Sequence, residues 1–215
     1  MSFVVAIDGP VAAGKGTIAR QLAAHFGFEH LATGALYRAA ALQLLAAGGN
    51  PEDAGQASEA ARRVGPEDLA SPDLRLEKTG MIASKIAGFP DVRSALVDLQ
   101  RNFAQTPPNG AAGAVLEGRD ITTVICPDAN VKIYLTAAAN ARAKRRYEEA
   151  TERGEAVDFE DILADLIQRD KQDSERADGA LKKADDAHLL DTTNLSIEAA
   201  FEVARQWIDA ELTHG

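Results

Sequence analysis

Two kinds of apolar pattern alternate along the chain, and their order predicts an α/β fold. The continuous apolar run at residues 3–7 is typical of a strand that is buried in a parallel sheet. Residues 114–117 and 131–135 are interpreted as two more strands, and the short segments 29–31 and 188–191 as two further ones. Segments with apolar residues at helical spacing separate the strands. We therefore predict a three-layer fold in which a mostly parallel sheet of about five strands has helices on both faces.

The predicted helices fall between these strands. They cover residues 18–26, 34–47, 54–64, 81–87, 91–105, 138–153, 158–174 and 196–212. Thr33 and Ser196 are expected to be N-caps of the second and the last helix. From Pro51 to Gly80 the pattern is weak and several Pro and Gly residues interrupt it. We expect that part to be a surface insertion with one short helix near its start.

A glycine-rich segment joins the first predicted strand to the first predicted helix. It fits the spacing G-x-x-x-x-G-K, with Gly16 where the strict pattern has Ser or Thr and Thr17 one position later. Glycines let backbone N–H groups approach phosphate oxygens, the helix N-terminus adds positive charge, and Lys15 can reach the β- and γ-phosphates. A nucleoside triphosphate is the expected ligand, and a turn that binds nothing is the alternative. The predicted binding residues are Gly9, Pro10, Val11, Ala12, Ala13, Gly14, Lys15, Gly16 and Thr17.

Composition excludes several other classes of protein. The 215-residue chain has a formal net charge of −10, which argues against a broad surface for nucleic-acid polymers or anionic membranes. No apolar run is long enough to span a membrane, and no signal peptide is predicted. The single cysteine, Cys126, excludes an intramolecular disulfide and a cysteine-rich zinc site. We expect a cytoplasmic protein.

Two polar groups lie where a site at the carboxyl ends of the strands would be. Thr33 and Tyr37 share a helix face, and Arg38 follows them, so the three side chains could hold a second, smaller phosphate ester. The alternative is a capping threonine, a packed tyrosine and a solvated arginine. Directly after strand 114–117, Arg119 could bind phosphate in a bidentate manner and Asp120 could accept from an amine on a base. A salt-bridged turn is the alternative there.

Two predicted helices carry further charged stripes. The first stripe consists of Arg142, Lys144, Arg145 and Arg146. The three arginines of this stripe share a helix face. That face could concentrate positive charge on an anionic ligand, or it could be solvated and paired with acidic neighbours. The second stripe consists of Arg169, Asp173 and Arg176. It could be an intrahelical ion-pair ladder, a set of arginines oriented by the aspartate, or both.

Five segments, taken together and in order, resemble bacterial cytidylate kinases, a family of nucleoside monophosphate kinases. They are residues 9–17, 31–38, 89–93, 118–120 and 168–176. The resemblance extends over nearly the whole chain. It implies transfer of the γ-phosphoryl group of ATP to CMP or dCMP with Mg²⁺, by a monomer that binds no nucleic-acid polymer and no membrane. It also implies one kinase domain over 1–215: a core of 1–33, 114–137 and 186–215, a nucleotide-acceptor part of about 34–105 and a lid of about 140–165.

The resemblance also assigns roles to individual residues. Catalytic charge would come from Lys15, Arg119, Arg145, Arg169 and Arg176, and Thr17 would assist the magnesium ion. The acceptor phosphate would be bound by Arg38 and Arg119. The cytosine edge would be recognised by Ser84, Arg93 and Asp120. The remaining acceptor contacts would come from Thr33, Tyr37, Asp173 and Arg176.

The chain departs from the family pattern at several positions. Val11 and Thr33 stand where serine is usual, and Glu117 stands where aspartate is usual. The segment 50–80 is shorter than the usual insertion, so the preference among CMP, dCMP and UMP stays open. Two other functions also stay open: a P-loop phosphotransferase with another acceptor, such as UMP or shikimate, and a non-catalytic ATP-binding protein.

Overall fold

The computed structural model describes residues 2–214, without the side chains of Glu77 and His214. The chain forms two compact units, one of Met1–His30 with Ala104–Gly215 and the other of Leu31–Phe103. No helix among the described residues is both long enough and apolar enough to cross a membrane.

The described strands form one five-stranded sheet, which confirms the predicted α/β class. They are β1 (Phe3–Asp8), β2 (Glu29–Ala32), β3 (Gly113–Gly118), β4 (Val131–Thr136) and β5 (His188–Asp191). The order across the sheet is β2-β3-β1-β4-β5, and β1 pairs in parallel with both β3 and β4. The chain therefore leaves β1, β3 and β4 at the same edge of the sheet.

Eight α-helices are described. They are α1 (Lys15–Phe26), α2 (Thr33–Ala46), α3 (Ala54–Arg62), α4 (Glu77–Ile86), α5 (Pro90–Gln105), α6 (Ala139–Glu152), α7 (Phe159–Glu175) and α8 (Ile197–His214). Every predicted helix is present, and most ends agree within a few residues. The Ser196 cap is confirmed, because its hydroxyl accepts from the backbone N–H of Ala199 at 3.2 Å.

The core of the first unit lies between the sheet and the helices α1 and α8. Its central strands are buried almost throughout, as is typical of parallel strands covered on both faces. The core includes Ile7, Leu22, Val115, Leu135 and Ile208, all with no exposed surface. This packing fixes the end of β1, where the glycine-rich segment begins.

The second unit corrects two predictions. The cap at Thr33 is wrong, because α2 begins at Thr33 itself and Ala32 precedes it without a side-chain cap. The segment 51–80 holds more structure than one helix: two 3₁₀ turns, Pro66–Ala70 and Pro72–Arg75, follow α3, and α4 begins at Glu77. Proline at the start of each turn fixes a compatible φ, which explains how a segment without a helical period still forms helical turns.

Candidate active site

The glycine-rich segment forms the loop between β1 and α1, as predicted. At Gly9 a Cβ atom would overlap the backbone carbonyl oxygen of Leu135 on β4, so only glycine fits there. Gly14 has φ +98° and precedes α1 in the left-handed region, which L side chains rarely adopt. The loop shape thus depends on these two glycines. It places the start of α1 at the edge of the sheet where parallel strands present their carboxyl ends.

Lys15, the first residue of α1, is folded back onto this loop. Its ammonium donates to the backbone carbonyl oxygens of Gly9 and Pro10, both at 2.8 Å, and the residue is only 6% exposed. Burial, and then the positive charge of Arg119, lower the pKa of Lys15 from 10.5 to about 7. A phosphate anion beside this ammonium would favour its charged form, so the group is suited to binding an anionic ligand.

Arg119, at the end of β3, is held by an aspartate from a distant helix. Its Nε donates to Oδ2 of Asp173 on α7 at 2.6 Å, across 54 residues of sequence. The other oxygen of Asp173 lies 2.7 Å from a guanidinium nitrogen of Arg176. Asp173 is only 5% exposed. It therefore orients two arginines from different elements, and the stripe on α7 is more than an intrahelical ladder.

These groups converge on Lys15. Arg119, Glu117, Asp8 and Asp173 all lie close enough to influence the pKa of Lys15. They come from the ends of β1 and β3 and from α7. The first unit thus brings together charged side chains that lie up to 165 residues apart in sequence.

The stripe on α6 is divided between two roles. Arg142 is only 4% exposed: it donates to the carbonyl oxygens of Ala137 and Val11 at 2.8 and 3.0 Å and forms a two-pronged ion pair with Asp170. It therefore braces the glycine-rich loop against α7 rather than joining a solvent-facing cationic surface. Lys144 and Arg146 are exposed, and Lys144 lies 3.9 Å from Glu148.

Arg145 lies on the other side of the loop from Arg119. Its guanidinium donates to the hydroxyl and the backbone carbonyl of Thr192, just after β5. Arg119 follows β3, and the sheet order places β1 between β3 and the β4–β5 pair. The two arginines therefore flank the end of β1 from opposite directions.

Arg169, the remaining predicted catalytic arginine, lies on α7 and is half-buried.

The predicted acceptor residues of the second unit lie on three of its helices. They are Thr33, Tyr37 and Arg38 on α2, Ser84 on α4 and Arg93 on α5. Arg38 donates to the backbone carbonyl of Leu74 at 2.7 Å, and a Cβ at Gly80 would meet its guanidinium. Thr33 and Arg93 are buried, whereas Tyr37, Arg38 and Ser84 are half-buried.

The sequence alone predicts no role for Glu117, although this residue departs from the family pattern. A Cβ at Gly16 would lie 2.9 Å from Oε1 of Glu117, so the carboxylate occupies the space beside Gly16. Burial raises the pKa of Glu117, but His30, whose Nε2 lies 3.5 Å from Oε1, and the charges of Lys15 and Arg119 outweigh it, and the pKa falls below its ordinary value. Two features of the sequence could have indicated this contact: Gly16 stands where the strict motif has Ser or Thr, and a carboxylate lies at the end of β3.

Known proteins match this chain over nearly its full length. A family model described as cytidylate kinase matches residues 5–210. A cytidylate kinase of Paramagnetospirillum magneticum is 50% identical over 95% of this chain and 96% of its own length. One of Sinorhizobium medicae is 52% identical over 99% of this chain and 98% of its own. A crystal structure of a sugar kinase from a Janibacter species, 15% identical with a TM-score of 0.50 over 97% and 95% of the two chains, has a similar fold. This chain belongs to the cytidylate kinase family.

Proposed function

We propose that this chain transfers the γ-phosphoryl group of ATP to CMP or dCMP, which yields ADP and CDP or dCDP. Membership in the cytidylate kinase family supports this reaction. The observation that carries the proposal is the buried ammonium of Lys15 beside Arg119, which Asp173 ties to Arg176. A protein that only binds ATP does not need this second set of cations.

The donor would bind on the glycine-rich loop. In the structure, the loop's own carbonyl oxygens hold Lys15, and the β- and γ-phosphates of ATP would replace them as its partners. Arg145, which donates to Thr192 just after β5, would add positive charge from the side of the loop opposite to Arg119.

The residues beside the loop fit a magnesium ion that arrives with ATP. Glu117 supplies an ionised carboxylate next to Gly16, and Thr17 supplies a hydroxyl on the same turn of α1. These two residues would hold the ion directly or through water. When bound, Mg²⁺ would neutralise charge on the phosphates that take part in the transfer.

The family resemblance assigns the acceptor contacts residue by residue. Arg119 and Arg38 would bind the acceptor phosphate, and Asp120 would accept from the cytosine amino group. The base and sugar contacts of the second unit would come from Thr33, Tyr37, Ser84 and Arg93. We expect a monomer to carry out the reaction, as the family resemblance implies.

The chemistry requires positioning and positive charge rather than a general base. The acceptor phosphate is already a nucleophilic anion, so the site must bring two polyanions together in line and match the charge that develops between them. Lys15, Arg119 and Arg176 would supply that charge, together with Arg169 on α7. Asp173 holds Arg119 and Arg176 in orientation at little additional entropy cost on binding.

The tip of the α6–α7 pair would act as the lid. Residues 151–156, at the end of α6 and in the turn that follows it, are exposed, whereas Arg142 and Asp170 lock the base of the pair to the loop at Val11. A tip with few buried contacts can move while its base stays fixed. Closure of this tip would exclude water, which competes with CMP as acceptor of the phosphoryl group.

A panel of acceptors tests the proposal. Purified protein with Mg²⁺ and ATP is assayed for ADP release with CMP, dCMP, UMP or shikimate, and the phosphorylated product is identified. We expect release that depends on CMP or dCMP and is lost in Lys15→Ala. Faster turnover of UMP or shikimate would contradict the acceptor assignment. ATP binding without acceptor-dependent ADP release would show a non-catalytic protein instead.

A further inference from the structure

Asp8 is a fully buried carboxylate to which the reaction above assigns no task. It is the last residue of β1 and directly precedes Gly9 of the glycine-rich loop. Its Oδ1 accepts from the backbone N–H of Ile121 at 2.9 Å, and its Oδ2 accepts from the N–H and the hydroxyl of Thr122, both at 2.7 Å. A buried carboxylate is costly unless it is fully hydrogen-bonded, so these three bonds fix its geometry tightly.

The partners of Asp8 open a short π-helical turn, Ile121–Ile125, which begins immediately after Asp120. The first N–H groups of a helical turn have no partner within it, and a carboxylate is a strong acceptor for them. Here the acceptor comes from a different strand, more than 110 residues earlier in the chain. Ile121 and Thr122 are themselves buried, so water does not compete for these bonds.

The turn determines where Arg119 and Asp120 lie. The pairing of β1 with β3 places Gly118 beside Asp8, but β3 ends at Gly118 and the next residues leave the sheet. After that point, the bonds from Asp8 to Ile121 and Thr122 are the connection back to β1. The two residues between these anchors are Arg119 and Asp120.

We infer that Asp8 is a positioning residue that holds the acceptor-binding pair Arg119–Asp120 at a fixed place relative to the phosphate loop. This inference rests on the proposed function, which makes that pair the site of the CMP phosphate and base. Asp8 has no exposed surface, so it would touch neither nucleotide. It acts through Ile121 and Thr122, and together these three residues are called the Asp8 clamp below.

The charge of Asp8 complicates a test on Asp8 alone. The carboxylate of Asp8 attracts the ammonium of Lys15. Burial raises the pKa of Asp8, the three hydrogen bonds lower it, and the charge of Asp120 raises it. A substitution at Asp8 therefore alters the electrostatics of Lys15 as well as the clamp. Thr122 allows a cleaner change, because Thr122→Val removes one hydrogen bond without removing a charge.

The experiment compares Thr122→Val with Thr122→Ser and Asp8→Asn in the full-length chain. Loss of one buried hydrogen bond in Thr122→Val is expected to raise the KM for CMP about fivefold to tenfold, while the dissociation constant for ATP changes less than about twofold. Thr122→Ser keeps the hydroxyl and should restore the KM. Asp8→Asn should change the KM for CMP in the same direction and by more.

A matched control lies at the other end of the same strand. Asn130 accepts from the backbone N–H of Val4 at 2.9 Å through its side-chain oxygen, far from the loop. Asn130→Ala should lower the melting temperature and leave the kinetics unchanged, which separates a loss of β1 stability from a loss of positioning.

The outcomes distinguish the clamp from the reaction itself. Wild-type protein that forms no CDP or dCDP would refute the proposed function, and the role of the clamp with it. If the wild type is active but Thr122→Val weakens CMP and ATP equally, or neither, the clamp alone is refuted. A selective loss for CMP that Thr122→Ser reverses supports it.

Discussion

Lys15→Met should make the protein more stable while it removes activity. The folded state lowers the pKa of Lys15 from 10.5 to about 7 because the ammonium is buried and lies beside Arg119. This lowering of the pKa reduces the free energy of unfolding by about 5 kcal/mol when the group is protonated in both states. At pH 7, where the folded group is half protonated, the reduction is about 4 kcal/mol. Methionine has a similar length and carries no charge to desolvate.

Some of this gain is offset by lost contacts. Lys15 donates two hydrogen bonds, to Gly9 and Pro10, and each contributes about 1 kcal/mol. The attraction to Glu117, Asp8 and Asp173 is already included in the pKa. We therefore expect the free energy of unfolding of Lys15→Met to exceed that of the wild type by about 2 kcal/mol at pH 7.

The pH dependence identifies the cause. Between about pH 7 and pH 10.5 the unfolded chain keeps the proton on Lys15 that the folded chain has released. Because the unfolded state then binds more protons, the stability of the wild type rises with pH, by about 2 kcal/mol from pH 7 to pH 9. Lys15→Met lacks this contribution, so the difference in the free energy of unfolding between the two proteins should shrink as pH rises from 7 to 9.

Urea unfolding followed by circular dichroism at pH 7 and pH 9 measures both effects. The control is catalytic: Lys15→Met should show no CMP-dependent ADP release at either pH. A variant less stable than the wild type at pH 7, or two stability profiles that run parallel from pH 7 to pH 9, would refute the assignment of a desolvated cation in the loop.

Four other substitutions test separate parts of the site. Gly9→Ala should destabilise the fold by about 3 kcal/mol or more, measured by urea unfolding, because its Cβ overlaps the Leu135 carbonyl; Gly14→Ala, where nothing lies within 4 Å, should cost about 1–2 kcal/mol from backbone strain alone. Asp120→Ala should raise the KM for CMP far more than that for ATP, and equal increases would count against base recognition there. Arg176→Ala should lower kcat by more than about tenfold, and an unchanged kcat would leave it only as a partner of Asp173.

The first strand was predictable because residues 3–7 form a short run that is apolar at every position, as is typical of a strand buried in a parallel sheet. The segment Ile121–Ile125 illustrates the opposite case, since Ile-Thr-Thr-Val-Ile has the composition of a strand yet forms a π-helical turn. Its conformation depends on Asp8, a partner 113 residues away that no local pattern reveals.

The site was predictable where chemistry is local and was not where it depends on packing. The glycine-rich loop and Lys15 belong to one short motif whose spacing carries the mechanism. Arg142 and Arg145, by contrast, share a face in sequence but meet different partners, because α6 packs Arg142 inward against Val11 and Asp170. Periodicity shows which residues share a face and does not show what that face contacts.

The most direct test of the central claim follows the phosphoryl group itself. ATP labelled at the γ-phosphate is incubated with CMP, Mg²⁺ and the wild-type protein, and the labelled products are separated. If Lys15, Arg119 and Arg176 align donor and acceptor, the label appears in the terminal phosphate of CDP, and it stays in ATP when Lys15→Ala is used. Label that appears only as inorganic phosphate, or that remains in ATP with the wild-type protein, would contradict the account.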